Sequence, residues 1–355
     1  MSLPLLFQIL ALMLLQPQDL RLLIGTYTDS GDASGAWLYR FDAETAASDR
    51  LDFADARNPA FIIPSEDRTR AWSVCEFNDG SQGAYAYALG PDRLELLNYQ
   101  AATPDGKGSG NPCNILYFNG YIFTADYFGG TVTLYPVAAD GRLEPMRKNF
   151  YFGTESRMHC CRLSPDGRWI LASDLGCDLI RRFPVTASGG LPVGEPGIAY
   201  RATPGSGPRH FVFSADGRFC YLLGELGDTL TVLRYEDGTL TPVQEIMAYR
   251  GRGKGSADIH LSPDGRFLYT SHRLRGEGIA IFAVRPDGTV RRAGFRRTGR
   301  HPRNFVLSPD GRWLLCACRD DDAIEVYARD TATGALTPKK DRTIRVNHPV
   351  CLQLF

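Results

Sequence analysis

The sequence predicts an all-β fold, a seven-bladed β-propeller whose ring is closed by the C-terminal strand joining the N-terminal blade. Three observations carry this: a turn motif repeated at blade spacing, chain ends that complement each other, and no helical periodicity of useful length. Four turns are nearly identical: "LSPDGRWIL" from Leu163, "FSADGRFCYL" from Phe213, "LSPDGRFLYT" from Leu261 and "LSPDGRWLL" from Leu307. Their serines, Ser164, Ser214, Ser262 and Ser308, lie 50, 48 and 46 residues apart. Four short strands at that period make one propeller blade.

The units follow in order along the chain. Degenerate copies of the turn stand earlier, at "IPSEDRTRAW" from Ile63 and "YFNGYIF" from Tyr117. Each turn joins two apolar runs, with glycine where the chain must reverse. Dividing the 355 residues, less a 20-residue leader, by about 48 gives seven units. "HPVCLQLF" at His348 repeats the register of "HPRNFVLS" at His301, so the last residues form an innermost strand with no blade of its own. "RLLIGTYT", "GAWLYRFD" and "LDFADA" supply three outer strands lacking an inner one. Joining them completes the ring and removes two exposed sheet edges.

Residues 20–355 therefore read as one propeller domain, preceded by an apolar segment over 1–19. That segment has the length of a signal peptide or anchor, yet no Lys or Arg precedes it and no small-residue cleavage site follows. It is short for a membrane span, and none is expected in the mature domain. The 40 basic and 40 acidic side chains balance, which argues against a nucleic-acid partner. Nine cysteines, with Cys160 and Cys161 adjacent, show no framework spacing and suit a reduced compartment. A cytoplasmic monomer is expected, with export through the apolar segment as the alternative.

In a four-stranded meander, the start of the first strand and the end of the second lie on one face near the axis. The residues opening the first strands include Asn58-Pro59, Asn111-Pro112, Arg157-Met158-His159, Arg209-His210, Asp258-Ile259-His260, His301-Pro302-Arg303 and His348-Pro349. Five of the six histidines fall in this set, and His272 closes a second strand. The second strands end at Tyr27, Glu76, Asp126, Asp174, Glu225, Arg273 and Arg319, which reads as four successive acids followed by two arginines. Singly, such residues are ordinary turn formers and strand ties, as Asp178 and the SPDG turns are expected to be. Together they predict a polar mouth for a small anion. Histidine or glutamate can draw a proton from water, and arginine can hold an anion or a developing oxyanion. A strained cyclic ester needs little more. No GxSxG, HExxH, P-loop or Rossmann pattern is present, no ligand spacing singles out a metal, and no cofactor is implied. Cys160 faces away from its neighbour His159 on a strand, which disfavours a thiolate nucleophile.

The chain resembles the seven-bladed propeller lactonases typified by bacterial 6-phosphogluconolactonase, whose relatives include the fungal carboxy-muconate cyclases. The resemblance rests on "IGTYT" at Ile24, "NPAFIIPS" at Asn58, "GGTVTLYPV" at Gly129, "SDLGCDLI" at Ser173, "GPRHFVFSADGRFCYLLGEL" at Gly207, "DIHLSPDGRFLYTSHR" at Asp258 and "GRHPRNFVLSPDG" at Gly299. It implies Arg209, Arg273 and Arg303 as anion clamps and Glu225 as acid–base partner, acting on an anionic sugar-acid lactone such as 6-phosphogluconolactone. The reading of the mouth residues adds His159 or His210 as the catalytic base, and Arg157, His260, His272 and His301 as substrate-binding candidates. The sequence departs from the family where "SRMH" places Arg157 at a usual histidine, where "ADY" carries Asp126, and where "SHR" carries His272. A non-catalytic binding propeller and a muconate-type cycloisomerase are the alternative functions.

Overall fold

The computed structural model describes residues 19–29, 35–102, 110–186, 190–251 and 253–355. The N-terminal apolar segment lies outside them apart from Asp19. The strands form seven antiparallel sheets, each an up-and-down meander from the axis outward. Blades 2 to 7 open with the inner strands Ile62–Pro64, Pro112–Phe118, Met158–Leu163, Pro208–Phe213, Ser256–Leu261 and Pro302–Leu307. Blade 1 takes its inner strand from the C-terminus. Pro349–Leu354 pairs with Asp19–Thr26 in a register running from Leu22 opposite Leu354 to Thr26 opposite Pro349.

Why these segments become strands is plain from their burial. A sheet packed on both faces needs apolar residues at consecutive positions, not in alternation. "FCYLLG" at Phe219–Gly224 is buried throughout. The outermost strand of the same blade, Thr239–Met247, is mostly solvated. The described core divides into seven apolar clusters, one between each pair of neighbouring blades.

The SPDG repeats are turns, as expected. In blade 4 the Ser164 hydroxyl donates to Asp166 at 2.6 Å and accepts from the Trp169 amide at 3.0 Å. Gly167 then closes the reversal at φ +69°, a conformation that a side chain disfavours. The same bonds recur at Ser214, Ser262 and Ser308. Asp178 joins blade 4 to the approach of blade 5, accepting from the Gly205 and Gly207 amides at 2.7 and 2.8 Å.

Candidate active site

One irregularity, repeated at the start of the inner strands, builds the site. Pro112 pairs with Asp126, and the ladder resumes at Asn114, leaving Cys113 unpaired. The same slip passes over His159 in blade 4, Arg209 in blade 5 and Arg303 in blade 7. A bulge inserts one residue and re-aims its side chain. All four bulged residues line a single axial cavity of about 130 Å³, together with Glu76, Asn111, Tyr127, Glu225 and Arg273.

The last three of these, with Glu76, come from the residue immediately after a second strand. Those strands end at Cys75, Asp126, Gly224 and His272, so Glu76, Tyr127, Glu225 and Arg273 share one register. The sequence-based row of four acids mixes two registers. Asp126 and Asp174 are the final paired residues of their strands, and their side chains turn into the blades. Asp126 accepts from Thr131 and Thr133 at 2.7 and 2.6 Å. Asp174 accepts from Ser156 and is clamped by Arg181 at 2.6 Å. Neither lines the cavity, which leaves Glu76 and Glu225 as its carboxylates.

These two carboxylates differ. Glu225 holds Arg209 Nε at 2.6 Å on one oxygen and Arg273 Nη2 at 2.8 Å on the other. Burial pulls its pKa up, but Arg273, Arg209 and Arg303 outweigh that and hold it below the usual glutamate value. Glu76 is moved the other way. Its burial raises the pKa above the ordinary value, only partly offset by Arg303 at 3.5 Å and by the Tyr27 hydroxyl donating at 2.9 Å. Arg273 is lowered to about 9 by burial. Burial acts on Arg303 in the same direction, but the Tyr27 and Glu76 side chains outweigh it and raise that group. The Arg209 guanidinium is almost wholly buried and also donates to the Ala257 carbonyl. Three guanidiniums against two carboxylates leave the cavity positive, which suits an anion.

His159 lines this cavity and its Nδ1 has no partner. Burial and the nearby Arg209 push its pKa well below the ordinary histidine value, so it stands neutral. Cys113 beside it is pushed far up, chiefly by burial and then by Glu76, and stays a thiol. The Cys160 thiol is buried and raised too, so no thiolate nucleophile is available there.

The remaining predicted residues are brought together only in part. His210 sits one layer deeper, its ring 5.2 Å from that of His159. Its Nδ1 meets Asp258 at 2.8 Å, which fixes the proton on that nitrogen. Burial and Arg209 lower its pKa to about 4. His301 touches the cluster from outside, 3.4 Å from Arg273 Nη1. Arg157 turns back on its own loop, donating to the carbonyls of Thr154 and Ser156 at 2.6 and 2.7 Å, and does not line the cavity. His272 is stacked on Tyr249 between Ser256 and Thr270. It belongs to the same paired register as Asp126 and faces the blade interior. His260 lies further along the axis, bonded to Asp258 at 2.9 Å. Tyr27, Glu76 and Asn111 were placed at the polar mouth by the sequence but given no role, and Cys113 and Tyr127 were missed. The signal for Tyr127 was the register it shares with Glu76 and Glu225, one residue past the end of a second strand.

A wider basin of about 430 Å³ adjoins the cavity, shares Glu76 and Asn111 with it, and adds Tyr27, Asp29, Asn58, Arg319, Asp320 and His348. Among the described residues no helix is long and apolar enough to cross a membrane.

The family described as lactonase, 7-bladed beta-propeller, matches residues 21–354. The 6-phosphogluconolactonase of Bacillus subtilis is 29% identical over 357 aligned positions, covering 94% of this chain and 97% of that protein. A solved Bacteroides fragilis structure, proposed to be a 6-phosphogluconolactonase, superposes with a TM-score of 0.90 at 39% identity, covering 95% of this chain and 98% of that one. The periplasmic gluconolactonase of Pseudomonas aeruginosa superposes with a TM-score of 0.85 at 30% identity, covering 94% and 98%. The chain belongs to the seven-bladed β-propeller lactonase family and is a carboxylic ester hydrolase that opens lactones.

Proposed function

We propose that the chain hydrolyses an anionic sugar-acid lactone, 6-phosphogluconolactone, to 6-phosphogluconate by direct attack of water at the axial cavity. The observation that carries this is the convergence of Arg209, Arg273 and Arg303 on one small cavity holding only two carboxylates. The lactone carbonyl oxygen meets Arg209 and Arg273, which Glu225 holds in place. As water adds to the carbonyl carbon, the negative charge growing on that oxygen is met by guanidiniums already oriented. The adjoining basin offers hydrogen-bonding partners to the sugar hydroxyls, and Arg303 and Arg319 to the phosphate.

Glu76 is the water-activating base in this scheme. A base works best with a pKa near the working pH. Glu76 is raised toward it, whereas Glu225, His159 and His210 are all lowered. Water gives its proton to Glu76 as its oxygen bonds to the carbonyl carbon. The tetrahedral intermediate then expels the ring oxygen, which takes the proton back from Glu76. Neutral His159 orients the water. His210, buttressed by Asp258, holds His159 in place.

The test is lactone hydrolysis by wild type and Arg209→Ala, on 6-phosphogluconolactone and on unphosphorylated gluconolactone, with and without chelator. Spontaneous opening is subtracted in each case. Turnover that favours the phosphorylated lactone and is lost in the variant is expected. Equal turnover in the variant would remove the arginine cavity as the site. A strong preference for gluconolactone would remove the phosphate from the assignment.

A further inference from the structure

Below the catalytic layer the axis carries a second, separate chamber. Past the bulges, alternate residues of each inner strand share a face: Asn114 with Leu116, Cys160 with Arg162, His210 with Val212 and Asp258 with His260. This deeper ring encloses about 350 Å³, its lining including the apolar Ile63, Leu116 and Val212 and the polar Arg162, His260 and Gln353, contributed by successive blades round the axis. Apolar walls with a few convergent polar groups are the ordinary make-up of a small-molecule site.

The chamber is walled off from the catalytic cavity by the belt around Asp258. One oxygen of that carboxylate accepts from His210 Nδ1 and the Ile259 amide, and the other from His260 Nε2, Asn304 Nδ2 and the Phe305 amide. Five donors leave Asp258 little capacity to bind anything else or to pair with Arg162. Arg162 has no carboxylate within ion-pair distance among the described residues, unlike Arg181, Arg209, Arg273 and Arg303. Its Nε is buried without a hydrogen-bond partner. The residue as a whole is only half-buried, so its guanidinium is open to an anion entering from solvent.

We propose that this chamber is a second ligand site, taking a small monocarboxylate with an apolar body. The carboxylate would pair with the Arg162 guanidinium, a bidentate match, and the body would lie against Ile63, Leu116 and Val212. Solvent reaches the chamber, since His260 keeps 28% of its side-chain surface exposed. This site stands apart from the proposed lactone chemistry and does not depend on it.

The test uses 2-naphthoate as probe, titrated calorimetrically into the full chain, with uncharged 2-naphthamide as the control. One saturable site is expected, weakened about tenfold or more in Arg162→Met and for the amide, and unchanged in Arg209→Ala. Val212→Trp fills the chamber and is expected to abolish binding while lactone turnover persists, which shows the variant folded. Absence of saturable binding to wild type would overturn the proposal. So would binding that Arg209→Ala removes and Arg162→Met leaves, which would place the probe in the catalytic cavity.

Discussion

Replacing Glu76 by glutamine is the sharpest probe of the proposed chemistry, because the structure separates its effect on catalysis from its effect on folding. The new amide keeps an oxygen to accept from Tyr27 and Arg303, which stand 2.9 and 3.5 Å from the native carboxylate. The shape is retained and one buried negative charge is lost, so the anion clamp made by Arg209 and Arg273 stays intact. KM for an anionic lactone is therefore expected to hold or fall slightly, while kcat carries the loss. A positioned general base contributes about 10²–10⁴ in rate, which is about 2.7–5.4 kcal/mol of barrier. The pH profile supplies the second reading. Burial raises Glu76 above the ordinary glutamate value, so wild-type activity should fall on acidification at a pH above that value. In Glu76→Gln this acid limb should vanish. The assay is a pH-stat or indicator measurement of lactone opening between mildly acidic and neutral pH, with the spontaneous rate subtracted at each point. A variant within about threefold of wild type, or one retaining the same acid limb, would refute the role.

Three further outcomes are expected. Glu225→Gln leaves Arg209 and Arg273 without their shared carboxylate and should cost about 3–5 kcal/mol in urea unfolding at pH 7, with activity falling alongside. His272 is neutral in the fold, lowered to about 3 chiefly by burial. Its stabilising share is full above the ordinary histidine value of 6.5 and declines as pH falls below it, because the unfolded chain takes up the proton first. His272→Gln should therefore shrink the stability difference between pH 7 and pH 5 by about 2 kcal/mol. Deleting residues 349–355 removes the inner strand of blade 1 and bares the edge from Leu22 to Thr26. Size-exclusion chromatography should show self-association through that edge, and a monomer as stable as wild type would count against closure by this strand.

The ring and its closure were legible because they depend on repetition. The SPDG turns are stiffened by bonds within the turn itself, and the matching openings at His301 and His348 placed the terminal strand. The site was half legible. Arg209, Arg303 and His159 stand where the sequence placed them, at the first residues of inner strands. What the sequence did not disclose is the bulge that turns them into one cavity, since a bulge is a property of the pairing, and the prolines before three of the four bulged residues (Pro112, Pro208 and Pro302) do not by themselves announce it. The row of second-strand ends failed for the same reason. In a strand one residue of phase reverses the face, so Asp126 and Asp174 point into the blades while Glu76 and Tyr127 point to the axis. His272 shares the wrong phase, and Arg157 is captured by carbonyls of its own loop.

The way blade 1 is assembled bears on how the protein is made. Its second, third and fourth strands leave the ribosome first, and its innermost strand leaves last, some 300 residues later. Until then Leu22, Leu23 and Ile24, buried in the finished ring, have no partner on their axial side. Blades 2 to 7 can pair internally as they are made, but the first blade must wait until Pro349–Leu354 has emerged, with a loop closure of about 300 residues. The nascent protein thus carries an unfinished sheet at its leading end for most of its synthesis. A chaperone that shields that end, or a slow stretch of translation late in the message, would act on this step and on no other blade.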